Sequence, residues 1–306
     1  MQTEEGARVN DSVSVILPYF NRVDSLHRAV RSVLDQTYRN LTLLLIDDGS
    51  TDGSRESLSV IQDERVTHVA VPKNAGASAS RNMGLRLAST RLVAFMDSDD
   101  EWLPQKLERQ VAHLRRSQAE GHRVSVLGCG WRLSEDVGAY PNFSAGPFSR
   151  QDMLRGVTGT GTPMLLVDRA MSARAASFDA SLRSLEERDF VLSCLANGSV
   201  LAVLPETLVT VTRGRADHVA RPHETALAWE YLIRKYAEDM ASDDDLKSWY
   251  HFRAAREFLL AGERRHGFRH VRQALSCQPA RRSVHLTAGL VARSKGFGLA
   301  QRLLPL

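Results

Sequence analysis

The sequence predicts an α/β protein: a doubly wound, mostly parallel sheet with helices on both faces, followed by a helical C-terminal extension. Three observations carry this. Between residues 13 and 117 short apolar runs alternate with amphipathic helical patterns in the order βαβαβαβα. The apolar runs are continuous, which marks strands buried on both faces. From about residue 223 onward the pattern is helical.

Val13-Ser14-Val15-Ile16-Leu17-Pro18 reads as the first strand. A helix over 24–36 follows, with Asp24 as N-cap and Leu26, Ala29, Val30, Val33 and Leu34 on one face. Residues 41–46 form the second strand, and a helix near 52–62 leads to a third at 66–71. A helix over 77–88 leads to the fourth strand at 91–96. Residues 104–117 form an amphipathic helix starting at Pro104. After residue 120 the pattern loosens. "RVSVLGCGWRL" is strand-like, and "SFDASLRSLEERDFVLSCLANGSVLAVLP" reads as loop, helix, Asn197-Gly198 stop and strand. Residues 252–279 resemble one helical hairpin, with Gly262 and Gly267 near the turn and Pro279 closing it.

The composition is that of a soluble globular protein, 43% hydrophobic and 25% charged over 306 residues. Cys129, Cys194 and Cys277 are far apart and form no metal or disulfide pattern, so a reducing compartment is expected. The N-terminus lacks the basic and apolar regions of a signal peptide, and no apolar run reaches the ~18–20 residues of a membrane span. These features lead to the expectation of a cytoplasmic protein. The net charge of +4 hides an asymmetry: residues 251–306 hold eleven Lys and Arg against two Glu, a local +9 that leaves −5 elsewhere. Such a tail fits a solvated basic face or a peripheral contact with anionic lipids at the inner face of the membrane. No nucleic-acid motif accompanies it, so nucleic acid is not an expected partner.

Open α/β sheets bind ligands outside the carboxyl ends of their strands. Those ends here are "PYFNR" (18–22), "DDGSTDGS" (47–54), "PKNAGASASRNMG" (72–84) and "DSDDEW" (97–102). Any one of them is compatible with a turn; four polar ends on one edge point to a site. Asp97, Asp99 and Asp100 crowd into four residues. Divalent Mg²⁺ or Mn²⁺ takes oxygen ligands, keeps phosphate oxygens in its shell and would remove the repulsion. Asp48 is suited to accept a hydrogen bond from a base or ribose, Phe20 to stack, and Arg81 to pair with a diphosphate. The absence of GxGxxG and GxxxxGK[ST] argues against a dinucleotide fold or a P-loop.

"VSVILPYFNR", "LLIDDGSTDGS", "NAGASASRNMGL" and "FMDSDDEWLP", in this order and spacing, resemble the N-terminal half of a family 2 glycosyltransferase with the GT-A fold. The resemblance is strong over about 13–117 and extends more weakly to about 212 through "FDASLRSLEERDFVLSCLANG". It implies transfer of a sugar, with inversion, from a nucleotide-diphosphate sugar (often a UDP-sugar) to a hydroxyl of a saccharide or lipid-linked acceptor in cell-surface polysaccharide or glycolipid synthesis. Asp97-Ser98-Asp99 matches the family's D-x-D motif, which implies Asp99 as the leading ligand of Mn²⁺ or Mg²⁺ and Asp97 as its donor-side helper. The implied nucleotide-sugar-binding residues are Pro18, Phe20, Asn21, Asp47, Asp48, Asn74, Arg81, Asp97 and Ser98. Phe20 falls near the uracil, where the family often has Tyr, Asp48 on the base and Arg81 near the phosphates.

Glu187 matches the catalytic-base position, as Glu rather than the commoner Asp and with Arg188 in place of a common Trp. Asp189 is the second candidate, and acids favoured by a helix N-terminus are the competing account. His218 is a further candidate metal or phosphate contact. For Trp102 and Trp131, core packing is favoured over stacking on sugars. The expected organisation is a flexible N-terminus (1–12), a nucleotide-sugar-binding half (13–117), an acceptor-binding half (118–222) and a basic helical extension (223–306). The alternative is a catalytically inactive nucleotide-sugar-binding scaffold. A nucleotidyltransferase would carry a Gly-rich basic loop where "PYFNR" stands.

Overall fold

The computed structural model describes residues 11–135, 145–157, 161–174, 176–212 and 221–277. Residues 1–10, His218, Pro279 and the tail beyond Cys277 lie outside the described residues. The chain divides into two compact units, Met1–Ser181 with Glu186–Arg213 and Leu182–Leu185 with Gly214–Leu306.

In the first unit, β1 (Val13–Tyr19), β2 (Leu41–Asp47), β3 (Val66–Ala70) and β4 (Leu92–Phe95) pair in parallel, in the order β3-β2-β1-β4. They are joined by α1 (Leu26–Leu34), α2 (Ser54–Ser57) and α3 (Ala77–Leu87). After β4 come β5 (Glu101–Trp102) and α4 (Lys106–Ala119). Both faces of β1 are covered, and its side chains divide between them. Val13, Val15 and Leu17 pack in one cluster with Leu26, Ala29, Val30 and Val33 of α1 and Leu107, Val111 and Leu114 of α4. Ile16 meets α3, where a Cβ on Gly84 would lie 2.4 Å from Ile16 Cγ2. Only glycine allows this approach.

α1 begins at Leu26 after Ser25, whose side chain makes no capping bond, so the cap expected at Asp24 is not there. Packing holds the helix instead. Gln36, just beyond it, donates to the Leu103 carbonyl at 2.8 Å and accepts from the Leu107 N–H at 3.0 Å, which ties it to α4.

β6 (Val124–Leu133), α5 (Arg150–Arg155), β7 (Leu166–Asp168), α6 (Glu186–Cys194) and β8 (Val200–Val211) complete the unit. The eight-stranded sheet has the order β3-β2-β1-β4-β7-β6-β8-β5, with β7 antiparallel to both neighbours. The sheet is therefore parallel across its first half and mixed beyond it. β8 runs on past Pro205, where the sequence reading ends a strand. Pro205 and Glu206 fall between the pairs Cys129–Leu204 and Gly130–Thr207, and at such a bulge proline's missing N–H is tolerated. Gly130 makes room for it, since a Cβ there would lie 2.8 Å from the Glu206 carbonyl oxygen. Trp102 is buried and its indole N–H donates to the Pro163 carbonyl. Trp131 packs partly buried on the main core.

The second unit holds α7 (Pro222–Lys235), α8 (Asp244–Leu260) and α9 (Arg264–Cys277). Asp243 caps α8 by accepting the Leu246 N–H at 2.8 Å. α8 and α9 form the expected hairpin, turning at Gly262 with φ +81. Gly267 is not at the turn. It lies inside α9, where a Cβ would come within 2.6 Å of Leu259, so it sets the closeness of the two helices. Trp229, Trp249 and Tyr250 pack edge to face. No helix among the described residues is long and apolar enough to cross a membrane.

Candidate active site

The loops after β1 and β2 are laced together by the side chains of the quoted motifs. Asn21 takes a left-handed conformation with φ 52, in which its N–H donates to Ser50 Oγ and its Oδ1 accepts the Thr51 N–H at 2.8 Å. The next two amides follow suit, Arg22 N–H donating to Ser54 Oγ and Val23 N–H to Asp52 Oδ2. Pro18 pairs with Ile46 inside the sheet. At the tip of this ladder Phe20 is left 40% exposed, an aromatic ring facing solvent at a strand end.

Asp47 and Asp48 are both buried. Asp47 Oδ1 accepts the Ser50 N–H at 2.8 Å, closing the turn after β2. Asp48 reaches the next loop, each of its oxygens accepting one backbone N–H, from Ala75 at 2.9 Å and from Gly76 at 2.8 Å. Asn74, in that loop, is exposed. These acids thus fix the walls of the strand-end edge.

After β4, Asp97 and Asp99 are partly exposed, while Ser98 and Asp100 are buried. Asp100 Oδ1 accepts the Thr212 N–H at 2.9 Å, so the end of β8 is pinned to the acidic turn. Arg28 of α1 reinforces it, donating to the Asp99 carbonyl at 2.8 Å and to Thr212 Oγ1 at 3.0 Å. Burial first, and Asp97 second, push the Asp100 carboxyl up to about 8.

Arg81, expected from the sequence near the phosphates, stands on this same edge. Its side chain is 5% exposed and lies between two carboxylates, donating to Asp97 Oδ1 at 2.7 Å and meeting Glu186 Oε1 at 3.4 Å. Its guanidinium also lies over the Phe178 ring, 5.3 Å from the centroid. Phe178 stacks on Phe190 of α6 at 4.0 Å, and both meet Phe95 of β4 edge to face. Asn82, next to Arg81, holds Phe178 in place by bonding both its N–H and its carbonyl. This apolar clamp and the ion pair fix the first turn of α6 beside the acidic turn.

Glu187 stands in that first turn. It keeps part of its surface open although protein surrounds it on most sides. Burial, with Glu186 beside it, pushes its carboxyl up to about 7. Asp189, two residues on, is fully buried. Arg188 points elsewhere, donating to the Met153 carbonyl at 2.7 Å. Glu186, Asn82, Phe178, Arg28 and Thr212 were not singled out from the sequence. Asn82 and Glu186 adjoin residues that were, whereas Arg28 and Thr212 carry no sequence signal.

Among the described residues no three His, Cys, Asp or Glu side chains converge into a ready-made cation cage. The oxygen donors of Asp99 and Asp97 nonetheless suit a hard divalent ion of the kind that takes one or two carboxylates and completes its shell with substrate phosphates and water.

The family model for glycosyl transferase family 2 matches residues 14–167. The Escherichia coli UDP-Glc:alpha-D-GlcNAc-diphosphoundecaprenol beta-1,3-glucosyltransferase WfgD is 38% identical over 105 residues, 34% of this chain and 42% of WfgD. The chain spans about 40% of the length of several of the curated relatives it matches. Among solved structures it is similar to S. aureus TarS 1-349 in complex with UDP-GlcNAc, with TM-score 0.59 and 16% identity over 89% of this chain and 91% of that one. It is equally similar to the mannosyltransferase PcManGT of Pyrobaculum calidifontis in complex with GDP-Man and Mn²⁺, with TM-score 0.59 and 14% identity over 95% and 82%. At these identities the likeness shows the fold, which is that of GT-A transferases. With the family model matching half of the chain, on a sheet whose strand ends carry the motifs described above, this protein belongs to glycosyl transferase family 2.

Proposed function

We propose that this chain transfers a sugar from a UDP-sugar to a hydroxyl of a saccharide or lipid-linked acceptor, with inversion at the anomeric carbon, in the synthesis of a cell-surface polysaccharide or glycolipid. The observation that carries the reading is the Asp97–Arg81–Glu186 chain, which ties the first turn of α6, where the partly open Glu187 stands, to the acidic turn. The named substrates of WfgD and the UDP-GlcNAc complex of TarS support the choice of donor and acceptor class.

In this reading Phe20 offers its exposed face to the uracil, and Asn21, Asp47, Asp48 and Asn74 shape the walls around the nucleoside. Glu187, as the carboxylate, accepts the proton of the acceptor hydroxyl while that oxygen bonds to the anomeric carbon. The bond from the anomeric carbon to the diphosphate breaks on the opposite side, and its electron pair leaves with the nucleoside diphosphate. One displacement inverts the centre. A divalent cation held by Asp99, with Asp97 beside it, would neutralise charge on the departing diphosphate. Arg81 holds Asp97 and Glu186 and adds positive charge on the side of the diphosphate.

The test is a thermal-shift screen of nucleotide-sugars with and without Mn²⁺, followed by transfer assays on polyprenyl-diphosphate-linked saccharides. UDP-sugars are expected to raise Tm and one of them to support transfer. No shift and no transfer with any nucleotide-sugar would leave the enzyme reading without support.

A further inference from the structure

The basic charge of the C-terminal region has a structural focus that the donor and acceptor chemistry does not use. At about 100° per residue, Arg264, Arg265, Phe268 and Arg272 of α9 fall within an arc of roughly 100°. All four are exposed, and Phe268 exposes 38% of its surface. The opposite side of α9, Gly267, His270, Val271 and Ala274, is buried within the helical unit. Arg269, outside the arc, is taken by Glu230. Arg264, Arg265 and Arg272 have no acidic partner among the described residues, and the first turn of α9 contains no acid.

This arrangement is unfavourable for the chain alone. Two arginines stand at the positive end of a helix dipole, with a single acid, Glu263, just ahead of them in the chain. Glu263 is itself engaged by His223 and His266. A negatively charged surface would relieve the repulsion, and an exposed phenyl ring between arginines suits the boundary between headgroups and acyl chains.

We propose that this face of α9 docks on a bilayer surface of anionic phospholipid, with the arginines on the phosphates and Phe268 entering the headgroup layer. The inference goes beyond the proposed transfer reaction and does not rest on it. Its test uses the full chain, cosedimented with vesicles of phosphatidylcholine alone or mixed with phosphatidylglycerol. Binding is expected only to the anionic vesicles and is expected to weaken as salt rises. The combined Arg264→Glu, Arg265→Glu and Arg272→Glu substitution is expected to weaken binding by about tenfold or more. An Arg→Gln version at the same three positions serves if charge reversal disturbs folding, which circular dichroism checks. Equal binding by either folded variant and the native chain would overturn the proposal, as would failure of the native chain to bind anionic vesicles. Retained binding after removal of residues 278–306 would support α9 as the contact, and complete loss would move the contact to the tail. Because the readout is vesicle binding, it stands whether or not transfer activity is found.

Discussion

Arg81 donates to Asp97 Oδ1 across 2.7 Å from a side chain only 5% exposed. The same guanidinium meets Glu186, so a single buried cation links the acidic turn after β4 to the helix that carries Glu187. Removing it leaves two carboxylates facing each other without a counter-charge. Arg81→Ala is expected to destabilise the protein by ~2–4 kcal/mol in urea unfolding, the lower part of the range applying because both acids keep some contact with water. Arg81→Lys keeps the charge but not the two-armed geometry and should recover only part of the loss. Wild-type stability in Arg81→Ala would show that the pair contributes nothing.

Glu187 is expected to set the pH dependence of transfer. Its carboxyl is raised to about 7, so the basic form fills as pH rises through that value. Measured kcat/KM should climb with pH below about 7 and level off above it. Glu187→Gln should stop transfer while UDP affinity holds, and normal turnover would move the base elsewhere. Stability should show the opposite slope. Between its ordinary value of 4.5 and about 7 the folded state keeps a proton that the unfolded chain releases, so this group's contribution falls as pH rises across that window.

Asp99 is the expected cation ligand. UDP affinity measured by titration calorimetry should rise when Mn²⁺ is added and fall on chelation, and Asp99→Ala should remove the difference. An unchanged Mn²⁺ response in Asp99→Ala would assign the ion to other groups.

Asn21 combines a left-handed backbone with a side-chain bond to the Thr51 amide. Asn21→Ala loses the bond and keeps the strain, at a cost of about 1–2 kcal/mol. Asn21→Gly loses the bond but accepts the conformation, so its Tm should fall less. Both should weaken UDP binding, because the two loops that frame Phe20 are joined at this residue. Equal Tm values for the two variants would show that the backbone conformation carries no cost.

Gly84→Ala should lower stability by ~1–3 kcal/mol through overpacking against Ile16. Pairing it with Ile16→Val should return part of the loss in thermal unfolding; a double variant no better than Gly84→Ala alone would place the strain elsewhere.

Much of the donor half was legible in the residues themselves. Buried parallel strands are written as continuous apolar runs and their covering helices as a 3.6-residue period, so β1 to β4 with α1, α3 and α4 could be read locally. Polar strand ends follow from topology, because a parallel sheet brings the loops after successive strands to one edge. Asp97 and Asp99 therefore stand out as candidates from the residues themselves, whereas Glu187 is a candidate through the family resemblance. What only the tertiary structure decided depends on partners distant in the chain. β7 is three residues long, too short for any period, and exists because β4 and β6 flank it. Asp48 accepts amides 27 and 28 residues away. Arg81 is visible in the sequence as a cation at a strand end, but its burial between Asp97 and Glu186, 105 residues on, is a product of packing around Phe178 and Phe190. Sequence type specifies which charges are present. Which of them face each other, and hence which stay open for a substrate, is set by the core that brings them together.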